Sequence, residues 1–175
     1  QRIVRYCHTA AQLNNALLTL EHRLTPTEVY RLVKYHTRGH LITNRGETLQ
    51  RIVNDWLNNL LRMMRASGKY TPEPFDALRI KPTVTHFTGA GEFHAKTLLV
   101  CFAQSGGRRL LMPNSVLLQH INSEKYDLLL IAEPGDFGYR FGVPMLGDDV
   151  MEVINWIARQ HFVKGYQAVR TLGCS

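Results

Sequence analysis

Apolar positions fall into two regimes: up to Gly68 they recur at helical spacing, and beyond it they gather into short continuous runs. Thr9-Ala-Ala-Gln12 is a capping box, with a hydroxyl and an amide placed to satisfy the free amides of a first turn. Leu13, Leu17 and Leu20 then repeat on one face, predicting a helix to about residue 23. Thr25-Pro26-Thr27-Glu28 repeats the device with proline at the first helical position, and Val29, Leu32 and Val33 supply the stripe of a second helix ending near His36. A third opens at Asn44-Arg-Gly-Glu47 and keeps its stripe, through Trp56 and Leu60 to Met64, until Gly68. That stripe is core, not a cofactor box, and three antiparallel helices are expected.

Pro72, Pro74 and Pro82 punctuate the next stretch, so residues 71–82 are expected to be a linker. Residues 83–87 alternate like a strand, Gly89-Ala90-Gly91 is a turn, and residues 97–103 form an apolar run of the kind buried on both faces of a parallel sheet. A short helix is expected over 113–121, with Val116, Leu117 and Ile121 facing inward. Residues 126–132 are a second buried strand, and the loop 133–147 carries four glycines and two prolines. Asp149 with Glu152 caps the next helix, whose stripe is Val150, Val153, Ile154 and Ile157, and residues 168–172 form a last strand. Strand, helix, strand, helix, strand predicts a parallel α/β sheet with right-handed crossovers. The expected organisation is a helical region (1–70), a linker (71–82) and an α/β domain (83–175). Ligand sites in such sheets lie beyond the carboxyl ends of the strands.

Composition adds bounds. Apolar residues make up 45% of the 175, enough for a packed core, and no run approaches the roughly 18 apolar residues of a membrane span, so no membrane role is expected. Gln1 in place of methionine points to a true N-terminus elsewhere. Cys7, Cys101 and Cys174 cannot all pair within one chain, which favours reduced thiols and a cytoplasmic location. The net charge of +7 is uneven: residues 1–70 hold eleven Lys and Arg against four Asp and Glu, and residues 71–175 hold ten of each. The basic region offers a surface for nucleic acid, an acidic polymer or an acidic partner; because its charges are scattered, a solvated helical face is the blander alternative. His36 and His40 have a metal-ligand spacing, but Gly39 lies between them and no third ligand is evident, so they read as ordinary surface histidines. No metal and no cofactor are expected.

The chemistry concentrates at the end of the last strand. A β-favouring run enters Gly173-Cys174-Ser175, the first half of the nucleophile-elbow pattern Gly-x-Ser-x-Gly. In that turn a strained serine stands clear of the backbone, and the small residue two positions before it leaves room for the exposed hydroxyl. Alone, such a triplet is more often a simple turn; the order of elements before it changes that balance. Cys174 is a rival nucleophile, but Gly173 immediately precedes it and the elbow spacing then fails.

From residue 97 onward the chain resembles the α/β-hydrolase family. The resemblance rests on the strand and Gly-rich loop 98–107, the strand and loop 126–147, and the elbow start 171–175. Tyr139-Arg-Phe-Gly-Val-Pro-Met-Leu-Gly-Asp148, then a helix, then Thr171-Leu-Gly-Cys-Ser175, is similar to a bacterial branch in which such domains follow helical repeats. The resemblance implies the first part of a doubly wound parallel α/β-hydrolase sheet and a serine hydrolase, esterase-like, cleaving an ester, thioester or amide through an acyl-enzyme on Ser175. It implies an oxyanion-hole donor at the backbone of Gln104 or Ser105, and a triad acid and histidine downstream of residue 175. The loop lacks the family's usual His-Gly, offering Phe102-Ala103-Gln104 instead. Gly106, Asp136, Tyr139 and Arg140 are expected to line the pocket mouth and meet a small-molecule or acyl substrate.

The family's third strand lies between its fourth and fifth. Residues 97–103 should therefore pair in parallel with both 127–132 and 168–172, leaving the outer edge of the last strand bare for further chain or for oligomerisation. Two other readings compete: a hydrolase-like module that binds an acidic partner without chemistry, and a nucleotide-binding α/β domain. Against the second, the 104–107 loop lacks both Gly-x-Gly-x-x-Gly and a phosphate-binding lysine.

Overall fold

A computed structural model of the protein describes residues 6–21, 23–37, 47–103, 112–133 and 139–172, the side chains of His36, Thr37, Glu47 and Thr48 apart. The chain divides into a helical unit, residues 1–72 with 113–120, and a sheet unit, residues 73–112 with 121–175.

In the helical unit, α1 (Ala10–Glu21), α2 (Pro26–Thr37) and α3 (Glu47–Arg65) form where the apolar spacing predicts them. The two expected capping boxes close both ways. The Gln12 amide donates to Thr9 Oγ1 at 3.2 Å and the Thr9 amide to Gln12 Oε1 at 3.3 Å; the Glu28 amide donates to Thr25 Oγ1 at 3.3 Å and the Thr25 amide to Glu28 Oε2 at 2.8 Å. Each box satisfies donors that would otherwise face the helix end unpaired. Leu13 and Leu17 of α1 pack with Val53 and Leu57 of α3, with Leu32, Val33 and Trp56 at the edge. Met64 is fully buried, so the α3 stripe is core. Trp56 Nε1 donates to Glu21 Oε2 at 3.4 Å, giving a buried carboxylate a partner.

Among the described residues the sheet unit has five strands, β1 (Asp76–Lys81), β2 (Val84–Thr88), β3 (Thr97–Ala103), β4 (Tyr126–Ala132) and β5 (Ala168–Leu172), in the order β1-β2-β4-β3-β5. β1 and β2 are an antiparallel hairpin, β2 joins β4 antiparallel, and β3 runs parallel to both β4 and β5. The pairing expected for residues 97–103 is the one found. The central strands alternate Leu98 and Val100 against Cys101 and Ala103, and Leu129 and Ile131 against Leu128 and Leu130. Both sets are buried, which is why these strands read as unbroken apolar runs. One face packs Val84, Leu98, Val100, Leu129 and Ile131 against Val143, Leu146, Val153 and Ile157. The last two belong to α5 (Val150–Arg159), which Asp149 caps by accepting the Glu152 amide at 2.8 Å.

Two expectations need correction. Residues 71–82 are not only linker, because β1 occupies 76–81 and the division between units falls at 72/73. β1 is an edge strand, exposed over most of its length and interrupted by a register shift between Arg79 and Lys81. Its charges and flanking prolines are how edges resist further pairing, and they also mask the strand in the sequence. The short helix α4 (Asn114–Gln119) belongs to the helical unit, so it is not a simple crossover within the sheet unit. All six of its residues are buried, so no amphipathic stripe reveals what it packs on. Its Gln119 Nε2 donates to Thr71 O at 3.0 Å within the same unit.

Candidate functional site

Because β3, β4 and β5 are parallel, their carboxyl ends share one edge of the sheet, and the chain leaves that edge at Ala103, Ala132 and Leu172. The expected residues Gln104, Ser105, Gly106, Asp136 and Ser175, with Cys174 and His40, lie outside the described residues. Tyr139 and Arg140 are described.

Tyr139 is a strut across this edge. Its hydroxyl lies 2.6 Å from Ala103 O and 3.0 Å from Ile131 O, so its one proton is shared between carbonyls at the ends of β3 and β4. Its ring meets that of Phe102 edge-on, with centroids 5.2 Å apart. The backbone at Tyr139 is left-handed, φ 63°, a conformation costly for a residue with a Cβ, and its amide donates to the buried carboxylate of Glu133 at 3.0 Å. The chain then turns at Gly142, φ 65°, where a Cβ would stand 2.0 Å from the Gly147 carbonyl oxygen, and a Val143–Gly147 bridge closes the turn. Val143 and Leu146 anchor this turn in the core, while Arg140, Phe141 and Met145 are exposed. Tyr139 therefore shapes the site through the backbone, and Arg140 is the solvent-facing member of the pair.

At the opposite edge, beside the amino ends of β3 and β4, lies a buried polar chain that sequence reasoning missed. Lys96 Nζ donates to Asp127 Oδ1 at 2.9 Å and to Gly89 O at 2.8 Å. The Gly89 amide donates to the same Asp127 oxygen at 2.8 Å, and the Tyr166 hydroxyl donates to Asp127 Oδ2 at 2.7 Å. His86 Nε2 lies 2.8 Å from that hydroxyl. Since the Tyr166 proton goes to the carboxylate, the hydroxyl oxygen accepts from His86, which places a proton on Nε2. Burial pushes the His86 pKa down, with the Asp127 charge opposing and the Lys96 charge reinforcing. Burial, the hydrogen bond to Asp127 and its charge push the Tyr166 pKa up. His86 also stacks on Phe162 at 4.9 Å. Gly89 is required, because a Cβ there would stand 2.1 Å from Ser123 O. The signal was present: Asp127 sits inside an apolar run, and a buried carboxylate demands a cationic partner. Its position, at the amino ends of β3 and β4 and the carboxyl end of β2, makes this chain a tie between the three strands.

A surface groove of about 370 Å³ runs beside α5, lined by Leu146, Glu152, Asn155, Trp156, Arg159 and Gln160. It contains none of the expected site residues. Among the described residues no three His, Cys, Asp or Glu side chains assemble as a metal site, and no helix is long and apolar enough to cross a membrane. Compared with protein-family models, curated proteins and solved structures, the chain matches none.

Proposed function

We propose that the sheet unit is the N-terminal part of an α/β-hydrolase-type serine hydrolase, with Ser175 as the nucleophile and an ester, thioester or amide as substrate. The observation that carries this reading is the parallel alignment of β5 beside β3. Leu172 is level with Cys101, and Ser175 is three residues further along the chain. The chain leaves β3 at the same edge, and the backbone amide of Gln104 or Ser105 is the proposed oxyanion donor from that side. A serine hydroxyl is a poor nucleophile and needs a base and fixed donors, so both must converge where the strand ends. β3 lying between β4 and β5 agrees with the order that the family resemblance implies. The acid and histidine come, in this reading, from chain beyond the serine. Phe141 and Met145, exposed on the turn braced by Tyr139, give the acyl portion an apolar lip, and Arg140 gives it one cation. Buried thiols at Cys7 and Cys101 agree with a cytoplasmic setting.

The test is hydrolysis of short-chain p-nitrophenyl esters by the full-length protein. Ser175→Ala should lower kcat/KM by about 10⁴-fold or more, and Cys174→Ala should leave it within a few-fold. Ester hydrolysis that survives Ser175→Ala would refute the assignment.

A further inference from the structure

We infer that the helical unit binds single-stranded nucleic acid. This unit holds eleven Lys and Arg against four Asp and Glu, while the sheet unit holds ten of each, so the whole net charge of +7 belongs to the helical unit. Two of its four acids are engaged internally: Glu21 is buried against Trp56 Nε1, and Glu28 accepts the Thr25 amide. The basic excess is therefore presented with little opposing charge.

Its arrangement is ordered. On α3, Arg51, Asn58, Arg62 and Arg65 are exposed, and at about 100° per residue they fall in one stripe roughly 60° wide, with Asp55 at its edge. The opposite side of the helix carries the buried Val53, Leu57, Leu60 and Met64. The three arginines span about 21 Å at ~1.5 Å per residue, the reach of several consecutive phosphates. The Tyr30 hydroxyl donates to Tyr70 O at 3.0 Å, which draws Lys69 and Tyr70 beside the turn of α2 that bears Arg31 and Lys34. Tyr70 is 90% exposed and Tyr35 56% exposed.

This combination selects among polyanions. Nine of the eleven basic residues are arginine, whose planar fork matches phosphate oxygens and stacks on bases. Exposed tyrosine rings interleaved with cations are stacking platforms for unpaired bases, for which an acidic peptide has no use. An anionic membrane would call for an apolar face, yet beside the tyrosines Leu18 is the one large apolar side chain exposed in this unit among the described residues.

The experiment is fluorescence anisotropy of a labelled 20-nucleotide oligouridylate with the full chain, repeated across salt concentrations. A polyglutamate peptide and phosphatidylserine vesicles serve as rival polyanions. The oligonucleotide should bind in 50 mM salt and weaken log-linearly with salt, by about −0.7 per neutralised phosphate. Arg51→Gln/Arg62→Gln/Arg65→Gln should weaken binding at least ~10-fold and reduce that slope by about 2. Tyr35→Ala/Tyr70→Ala should weaken binding several-fold and leave the slope unchanged, and it tests the stacking side chains independently should the arginine variant not fold. Absence of binding, equal or tighter binding of polyglutamate or vesicles, or indifference to both sets of substitutions would overturn the inference.

Discussion

Lys96 and Asp127 carry opposite charges into a region closed to water, where each alone would be expensive to hold. Gly89 and Tyr166 supply the remaining hydrogen bonds, so neither charge is left half satisfied. Asp127→Asn should therefore destabilise the protein by about 3–5 kcal/mol in urea unfolding, because it leaves a buried ammonium without its counter-charge. Lys96→Met/Asp127→Leu, which removes both charges together, should recover most of that loss. A loss no greater in the single variant than in the double one would contradict the tie. The same cluster sets the response to pH. His86 has a lowered pKa in the folded chain, so below about pH 6.5 the unfolded chain binds more protons, and stability is present above that value and lost as pH falls towards the folded-state value. Tyr166 has a raised pKa, so the unfolded chain ionises first above about pH 10, and stability declines as pH rises from there. Urea midpoints measured from pH 5 to 11 should show both shoulders. His86→Gln should flatten the acid one and Tyr166→Phe the alkaline one; shoulders unaltered by these changes would show that other groups control them.

Among the elements, legibility tracked the physics of burial. The helices were plain because α1 to α3 each expose one side, and a stripe at helical spacing with a capping hydroxyl before it has few other readings. β3 and β4 were plain because a strand covered on both faces is apolar throughout. β1 was hidden because an edge strand has little burial to record, and α4 misled because a helix buried on every side shows no period. β5 is the intermediate case. Among the described residues it pairs with β3 alone, and Val169, Arg170 and Thr171 are exposed on both of its faces. Its outer row of backbone donors and acceptors is an unfilled template for another strand. Val169→Lys should therefore lessen concentration-dependent association in sedimentation velocity while the far-ultraviolet circular dichroism stays unchanged. Association that persists undiminished would place the contact elsewhere.

Across the whole molecule, charge and chemistry are divided between the two units. The helical unit carries the entire net positive charge, and the sheet unit, electrically balanced, carries the converging strand ends. That division was visible from composition and from the change in periodicity near Gly68. The candidate site was legible in part: the order of elements pointed to the carboxyl edge, but nothing local marked Tyr139 as the brace between β3 and β4. Its role depends on two carbonyls brought together only by folding. The central claim is that one hydroxyl beyond β5 is activated at that edge. Its most direct test is to treat the full-length protein with a fluorophosphonate and locate the adduct by tandem mass spectrometry. Modification confined to Ser175 and abolished by prior heat unfolding is the predicted result; no adduct, or an adduct on another residue, would contradict it.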